Sequence, residues 1–176
     1  MSTPAPFGRM LTAMVTPFKK DGSIDWDGVE KIADHLVKTG HDGIVVNGTT
    51  GEAPTTKSSE KEEIIKVVKR VVGANIKVVS GAGDNETDYS INQAKRSEAA
   101  GADGILVVTP YYNKPPQAGI KAHFLAMANA TGLPMMLYDI PGRTGVEIES
   151  DTIVELFEHP SIVALQEFMQ NIIFTE

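Results

Sequence analysis

An α/β barrel built from successive parallel βα units is the fold this sequence predicts, on three observations. Six apolar, β-branched-rich runs recur along the chain, at residues 10–15, 43–46, 77–80, 104–109, 134–138 and 161–165. The segments between them carry helical periodicity, so that each βα unit takes roughly 30 residues. All five loops that follow a run are polar or glycine-rich: "TPF", "NGTTGEAPTT", "GAGDN", "TPYYNKP" and "YDIPGRTG". Ligands gather at the C-terminal ends of parallel strands in both barrels and doubly wound sheets, but a doubly wound sheet concentrates its site at one switch point. Chemistry in every loop therefore favours a (β/α)₈-type barrel, of which about six βα units are present.

Each element has a local reason. The runs are near-continuous rather than alternating, as parallel strands covered on both faces require. After the first run, Trp26, Val29, Ile32, Ala33 and Leu36 repeat at helical spacing behind Asp25. After the second, Ile64, Val67, Val68 and Val71 follow the capping-like Ser58-Ser59-Glu60-Lys61-Glu62. A weak internal repeat marks the later units: "KTGHDGIVV", "AAGADGILVV" and "NATGLPMMLY" each end a helix in Gly and launch a strand. Glycine after a helix is the expected left-handed stop.

Composition narrows the function. The chain has 176 residues, 41% hydrophobic and 22% charged, with a net charge of −7. It reads as a single domain over residues 1–176, large enough to bury a real core. No basic cluster exceeds a pair such as Lys19-Lys20 or Lys69-Arg70, so neither nucleic acid nor an anionic membrane surface is an expected partner. The absence of cysteine removes disulfides, thiolate metal sites and Cys nucleophiles. The first nine residues lack the basic and apolar regions of a signal peptide, and no apolar run could span a bilayer, so a cytoplasmic location is expected. The sequons at Asn47, Asn85 and Asn129 carry no meaning without secretion.

Three loops hold the candidate chemistry. "GTTGE", residues 48–52, sets Thr49 and Thr50 between glycines at a strand end, where hydroxyls and loop N–H groups can hold a small carboxylate. The same residues could equally form a turn that caps itself. "TPYYNKP" places Tyr111 and Tyr112 on opposite sides of an extended backbone. The inward phenol is a proton-transfer candidate, or both rings finish a core. In "YDIPGRTG", Tyr138 closes a buried strand and Arg143 follows a Pro-Gly turn, an arrangement that aims a phenol and a guanidinium at one pocket, or else leaves a structural arginine at the rim.

Other signals are weaker. Gly81-Ala82-Gly83 lacks a third glycine and is followed by Asp84, which opposes a dinucleotide site. His35, His41, His123 and His159 have no metal-ligand spacing and read as surface or helix-end residues. Neither a metal nor another cofactor is expected. Met135-Met136 reads as core filling.

Taken together and in this order, "TAMVTPF", "GTTGE", "VTPYYNKP" and "LYDIPGRTG" closely resemble the dihydrodipicolinate synthase (4-hydroxy-tetrahydrodipicolinate synthase) branch of the pyruvate-dependent class I aldolases, over residues 8–165. The resemblance implies a (β/α)₈ TIM barrel, commonly a homo-oligomer. It implies a lyase that binds pyruvate to a lysine as a Schiff base and condenses it with aspartate semialdehyde in the diaminopimelate route to lysine. By the same resemblance Thr50 would hold the pyruvate carboxylate. Thr49, Tyr138 and Tyr112 would form a proton relay, with Tyr112 reaching into a neighbouring subunit, and Arg143 would meet the second substrate's carboxylate. A chain of hydroxyls suits imine chemistry, since it moves protons without fixing a charge in an apolar barrel. Asn85 and Tyr111 fit the family's site for feedback by lysine, whereas Ser58, Lys61 and Tyr89 depart from the lysine-sensitive pattern.

The resemblance breaks at one position. Counted from Tyr138, the family's Schiff-base lysine falls at Gln166, in "LQEF". An amide nitrogen is delocalised into its carbonyl and forms no imine. Lys114, flanked by prolines in a loop, is not expected to substitute. Residues 166–176 form a divergent tail, and six units fill a length in which eight would need about 250 residues. The expectations that follow are an incomplete barrel with two bare edges, a chain that reads as the middle of a protein at residue 165, and no aldol activity alone. The second reading is a non-catalytic keto-acid-binding or subunit-pairing protein; the third is another pyruvate aldolase of the superfamily.

Overall fold

A computed structural model describes residues 5–167. Residues 168–176, most of the stretch expected to diverge, lie outside the described residues. The elements run β1 (Leu11–Ala13), α1 (Trp26–Lys38), β2 (Gly43–Val46), a 3₁₀ turn (Ala53–Thr55), α2 (Ser58–Val72), β3 (Lys77–Gly81) and α3 (Thr87–Ala99). They continue through β4 (Gly104–Val108), α4 (Gln117–Ala128), β5 (Met135–Asp139), the single turn α5 (Pro141–Thr144), α6 (Ser150–Leu156) and β6 (Ile162–Glu167). All six strands are parallel and lie in chain order, β1-β2-β3-β4-β5-β6. Unlike a doubly wound sheet, it has no switch point where the order reverses. The sheet instead curls into a half-barrel, its helices outside.

Alternation along each strand divides the core into two layers. Val45, Val79, Leu106, Met136 and Tyr138 point into the concave side. Ile44, Val46 and Val78 point outward against α1 and α2, while Ile105, Val107 and Leu137 meet α3, α4 and α6. Each such buried aliphatic side chain contributes about 1.5–3 kcal/mol of transfer free energy. Both faces of β2 and β5 are therefore buried throughout, which is why their sequences run apolar without alternating.

Boundaries shift where packing ends. Met10 and Val15, at the ends of the run predicted over 10–15, are exposed and fall outside β1. At the other edge β6 runs two residues past the predicted end, so Gln166 lies within the ladder. Gly40 and Gly101 stop their helices in the left-handed conformation, as the repeat predicts. Gly132 does not adopt a positive φ; its N–H donates instead to Glu98 Oε1 at 3.1 Å. The N-terminal mouth is plugged by Phe7, 2% exposed, whose ring lies where a Cβ on Gly104 would be, 2.4 Å away. Residue 104 is glycine because strand and plug approach too closely for a side chain. Among the described residues no helix is long and apolar enough to cross a membrane.

One histidine corrects the sequence reading. His123 is not at a surface: it is 4% exposed on α4, with Nδ1 at 3.0 Å from Thr87 Oγ1 and Nε2 without a partner among the described residues. It sits on the apolar stripe of α4 beside Phe124, a position whose burial is decided only by the docking of that helix. Burial pushes its pKa below 6.5, and the attraction of Asp84 and Glu86 only partly opposes this.

Two predictions follow from this packing. Gly104→Ala forces a methyl into the Phe7 ring and is expected to destabilise the chain by about 1–3 kcal/mol, read as a lower urea midpoint with an unchanged slope. For His123, the unfolded state binds the proton more readily than the folded state, so the neutral-histidine contribution is complete above pH 6.5 and is lost as pH falls below it. Urea midpoints should therefore drop between pH 7.5 and 5.5, and His123→Gln should flatten that dependence.

Candidate active site

Four strand ends converge on one cavity of about 280 Å³ at the C-terminal side of the sheet. The loop after β2 is fixed from both sides. Thr16, following β1, donates its hydroxyl to Gly51 O at 2.7 Å, and Asn47 takes the left-handed conformation with φ 57°. Asn47 Nδ2 donates to Lys61 O and to Ser80 Oγ, each at 3.1 Å, tying β2, α2 and β3 together behind the loop. A Cβ on Gly81 would lie 2.1 Å from Asn47 O, so the first glycine of "GAG" serves strand approach rather than phosphate binding.

The cavity has two ends. Tyr138 and Arg143, from the β5 end, line one, and Thr49, from the β2 loop, lines the same cavity. Tyr138 is buried, and its carbonyl accepts the Thr109 N–H at 3.1 Å. Arg143 is held on α5 by the Pro141 turn, where the Thr144 hydroxyl contacts both Ile140 O and Val146 O. The turn is further pinned by Asp139 Oδ2, which accepts the Ile148 N–H at 3.2 Å. Burial of Asp139 raises its pKa above the usual carboxylate value.

At the other end stand Lys61, Asp84, Tyr89, Gln93 and Tyr111. Tyr111 donates its phenol to Asp84 Oδ2 at 2.9 Å. Burial first, then this bond and the carboxylate's charge, push the phenol up to about 12. Lys61 Nζ donates to Thr56 O at 2.6 Å, and burial lowers its pKa although Asp84 and Glu60 pull the other way.

The two adjacent tyrosines part as their spacing predicts: Tyr111 turns in, whereas Tyr112 is 88% exposed on a backbone with φ 71°. Thr49, Tyr138 and Arg143 therefore share the cavity, while Thr50 and Tyr112 are exposed and do not line it. Gln166 is half-buried, and in the β5–β6 ladder it is the direct partner of Tyr138. Lys114 is exposed at φ 44°, packed over Gly145, as its proline-flanked loop suggests. Lys61 was read from sequence only as part of a helix start and as a departure from a feedback pattern; its burial on α2 between Asn47 and Thr56 makes it a cavity residue. Among the described residues no group of three or more His, Asp or Glu is placed to hold a metal ion.

A parallel barrel sheet whose strand ends gather a phenol, a guanidinium and a threonine defines the class: (β/α) barrels that carry their site at the C-terminal face of the strands. The dihydrodipicolinate synthetase family model matches residues 6–175, and the chain belongs to that family. It is similar to the 4-hydroxy-tetrahydrodipicolinate synthase of Acidothermus cellulolyticus, 58% identical over 164 residues, covering 93% of this chain and 53% of the relative. Among solved structures, DHDPS from Cyanidioschyzon merolae with lysine bound superposes with a TM-score of 0.91 at 51% identity, over 94% of this chain and 57% of that one. The chloride-inhibited synthase from Acinetobacter baumannii complexed with pyruvate gives a TM-score of 0.88 at 44% identity, over 90% of this chain and 54% of that one. The chain thus spans about half the length of the relatives it matches.

The Asp84 contact is open to direct test. Asp84→Asn removes the charge and the strongest acceptor but leaves the burial, so Tyr111 should ionise below 12 yet above the ordinary phenol value of 10. Ultraviolet titration of the phenolate, with Tyr111→Phe to assign the late-titrating group, measures it.

Proposed function

We propose that the chain is a dihydrodipicolinate synthase-like protein of the diaminopimelate route to lysine, whose keto-acid cradle is present but whose covalent step is not. In this reading Thr50 and the loop amides hold the pyruvate carboxylate. Tyr138 and Thr49 carry protons, Tyr112 completes that relay in a neighbouring subunit, and Arg143 meets the carboxylate of aspartate semialdehyde. The reading is supported by the family match and by the convergence of Thr49, Tyr138 and Arg143 on one cavity.

The observation that carries it is the register pairing of Tyr138 with Gln166. An imine-forming enzyme needs a primary amine within reach of its proton-transfer phenol. The residue beside that phenol is an amide of nearly the same reach as lysine but with no nucleophilic lone pair. Keto-acid binding without turnover at this position follows.

A pairing role is favoured by a separate feature. Tyr112 is held out to solvent by an unfavourable left-handed backbone, and β1 and β6 each have a strand on one side only among the described residues. A second copy or a longer relative would cover such surfaces, and sedimentation with and without that relative distinguishes the two readings.

Restoring the amine is the decisive experiment. With pyruvate and borohydride, Gln166→Lys should gain a stable adduct mapped to residue 166, whereas the unaltered chain should gain none there. Arg143→Ala should leave that adduct intact while weakening binding of a dicarboxylate competitor by roughly tenfold, the loss expected for one charge-assisted bidentate contact. An unaltered chain that turns over pyruvate with aspartate semialdehyde would overthrow the reading.

A further inference from the structure

We propose that Lys61 is a carbonyl-reactive amine that condenses with a small aldehyde or α-keto acid admitted to the cavity. It is the one lysine among the residues that line this space. Other lysines of the described residues sit in ion pairs, such as Lys69 with Asp103 and Lys121 with Glu155, or project into solvent, such as Lys57 and Lys66. Lys61 is 9% exposed and has no carboxylate within ion-pair distance among the described residues. Its nearest recorded partner is neutral, the carbonyl of Thr56. Ala53, Pro54 and Leu106 supply apolar wall to the same cavity.

An ammonium in that setting is poorly compensated, and the direction of its pKa agrees: the neutral amine is favoured by burial against the weaker pull of Asp84 and Glu60. A neutral amine held by one carbonyl keeps its lone pair available. The second observation is Asn47. This side chain is 3% exposed and lines the cavity, its Nδ2 grips the backbone of Lys61, and its Oδ1 has no partner among the described residues. Asn47 thereby anchors the helical turn that carries Lys61 against the cavity wall, so the amine is held in place where a ligand would meet it.

The step balances without an oxidant or reductant. The amine nitrogen bonds to the carbonyl carbon, giving a carbinolamine. Both N–H hydrogens then leave with the former carbonyl oxygen as water, giving the imine. The phenol of Tyr111 is committed to Asp84, so the proton that leaves nitrogen reaches the departing hydroxyl through solvent water entering the cavity, and the imine remains reversible until it is reduced. This inference is independent of Gln166 and of Arg143, so it stands or falls separately from the keto-acid reading of the strand-five end.

The unaltered chain, folded and near neutral pH, is incubated in one arm with pyruvate and in another with propanal, each with cyanoborohydride, and the adducts are mapped by proteolysis and mass. At low total labelling the expected occupancy at Lys61 is at least about tenfold higher than at the exposed Lys57 and Lys66 in one or both arms. That preference should vanish when the protein is labelled in urea, and Lys61→Arg should remove the selective adduct. Labelling with propanal alone supports the proposal with a neutral aldehyde as ligand, and labelling with pyruvate supports it with a keto acid. Occupancy at Lys61 equal to or below that of the exposed lysines in both arms overturns it, whatever pyruvate does at the Tyr138 end.

Discussion

The parallel ladder between β5 and β6 fixes which side chain of the last strand enters the barrel, and a register shift fixes the ladder. Met135 pairs with Ile162 but Met136 pairs with Ala164, so one residue of β6 is skipped between them. Side chains alternate with a period of two, and a slip of one exchanges the two faces of everything beyond it. Because of the slip Ala164 joins the inner layer and Leu165 the outer one. Without it Leu165 would stand opposite Tyr138 and Gln166 would turn toward the helices. The irregularity therefore decides that an amide, and not an aliphatic side chain, lies next to the phenol.

The same alternation explains what was legible in the sequence. Continuous apolar runs reported parallel strands because both layers of this sheet are filled, and glycine-rich loops reported the ligand face because backbone must pass close to backbone there. Parity foretold that Tyr111 and Tyr112 would part but not which turns inward, because the left-handed backbone at Tyr112 departs from the extended strand that the parity argument assumes. The burial of His123 was not legible, since a histidine among Ile120, Phe124 and Met127 looks no different from one at a helix end until α4 is docked. Lys61 was hidden for a related reason: α2 carries a run of charged residues, and only its crossing over Asn47 selects which of them is inside. Long-range contacts made these assignments, and no window of local sequence contains them.

Electrostatically the cavity is divided rather than neutralised. Asp84 spends its hydrogen-bonding capacity on the phenol of Tyr111 and the loop before α3, with Ser90 Oγ accepting its own N–H at 2.9 Å. The carboxylate makes no direct pair with Lys61 among the described residues. Arg143, on the far wall, forms no ion pair among the described residues. In the proposed reading, a small acid entering such a space meets a guanidinium and a carboxylate that are not paired with each other. Separation of this kind is more useful to a binding site than mutual neutralisation, because a cavity whose charges pair internally has none left for a ligand.

In the proposed reading, fold and covalent chemistry are separable at residue 166 for a simple reason. Its backbone satisfies the ladder whatever side chain it bears, and its side chain is only half-buried at a strand end where polar atoms can still reach water. Glutamine there removes no core volume and leaves no uncompensated charge, so the energetic penalties that usually accompany a change inside a barrel do not arise. Lysine at the same place would have to shed its proton next to Tyr138 to act. The demand for a desolvated amine is thus a demand of the reaction alone. A chain can lose it while every hydrogen bond that builds the cavity, from Thr16 to Ile148, remains in place.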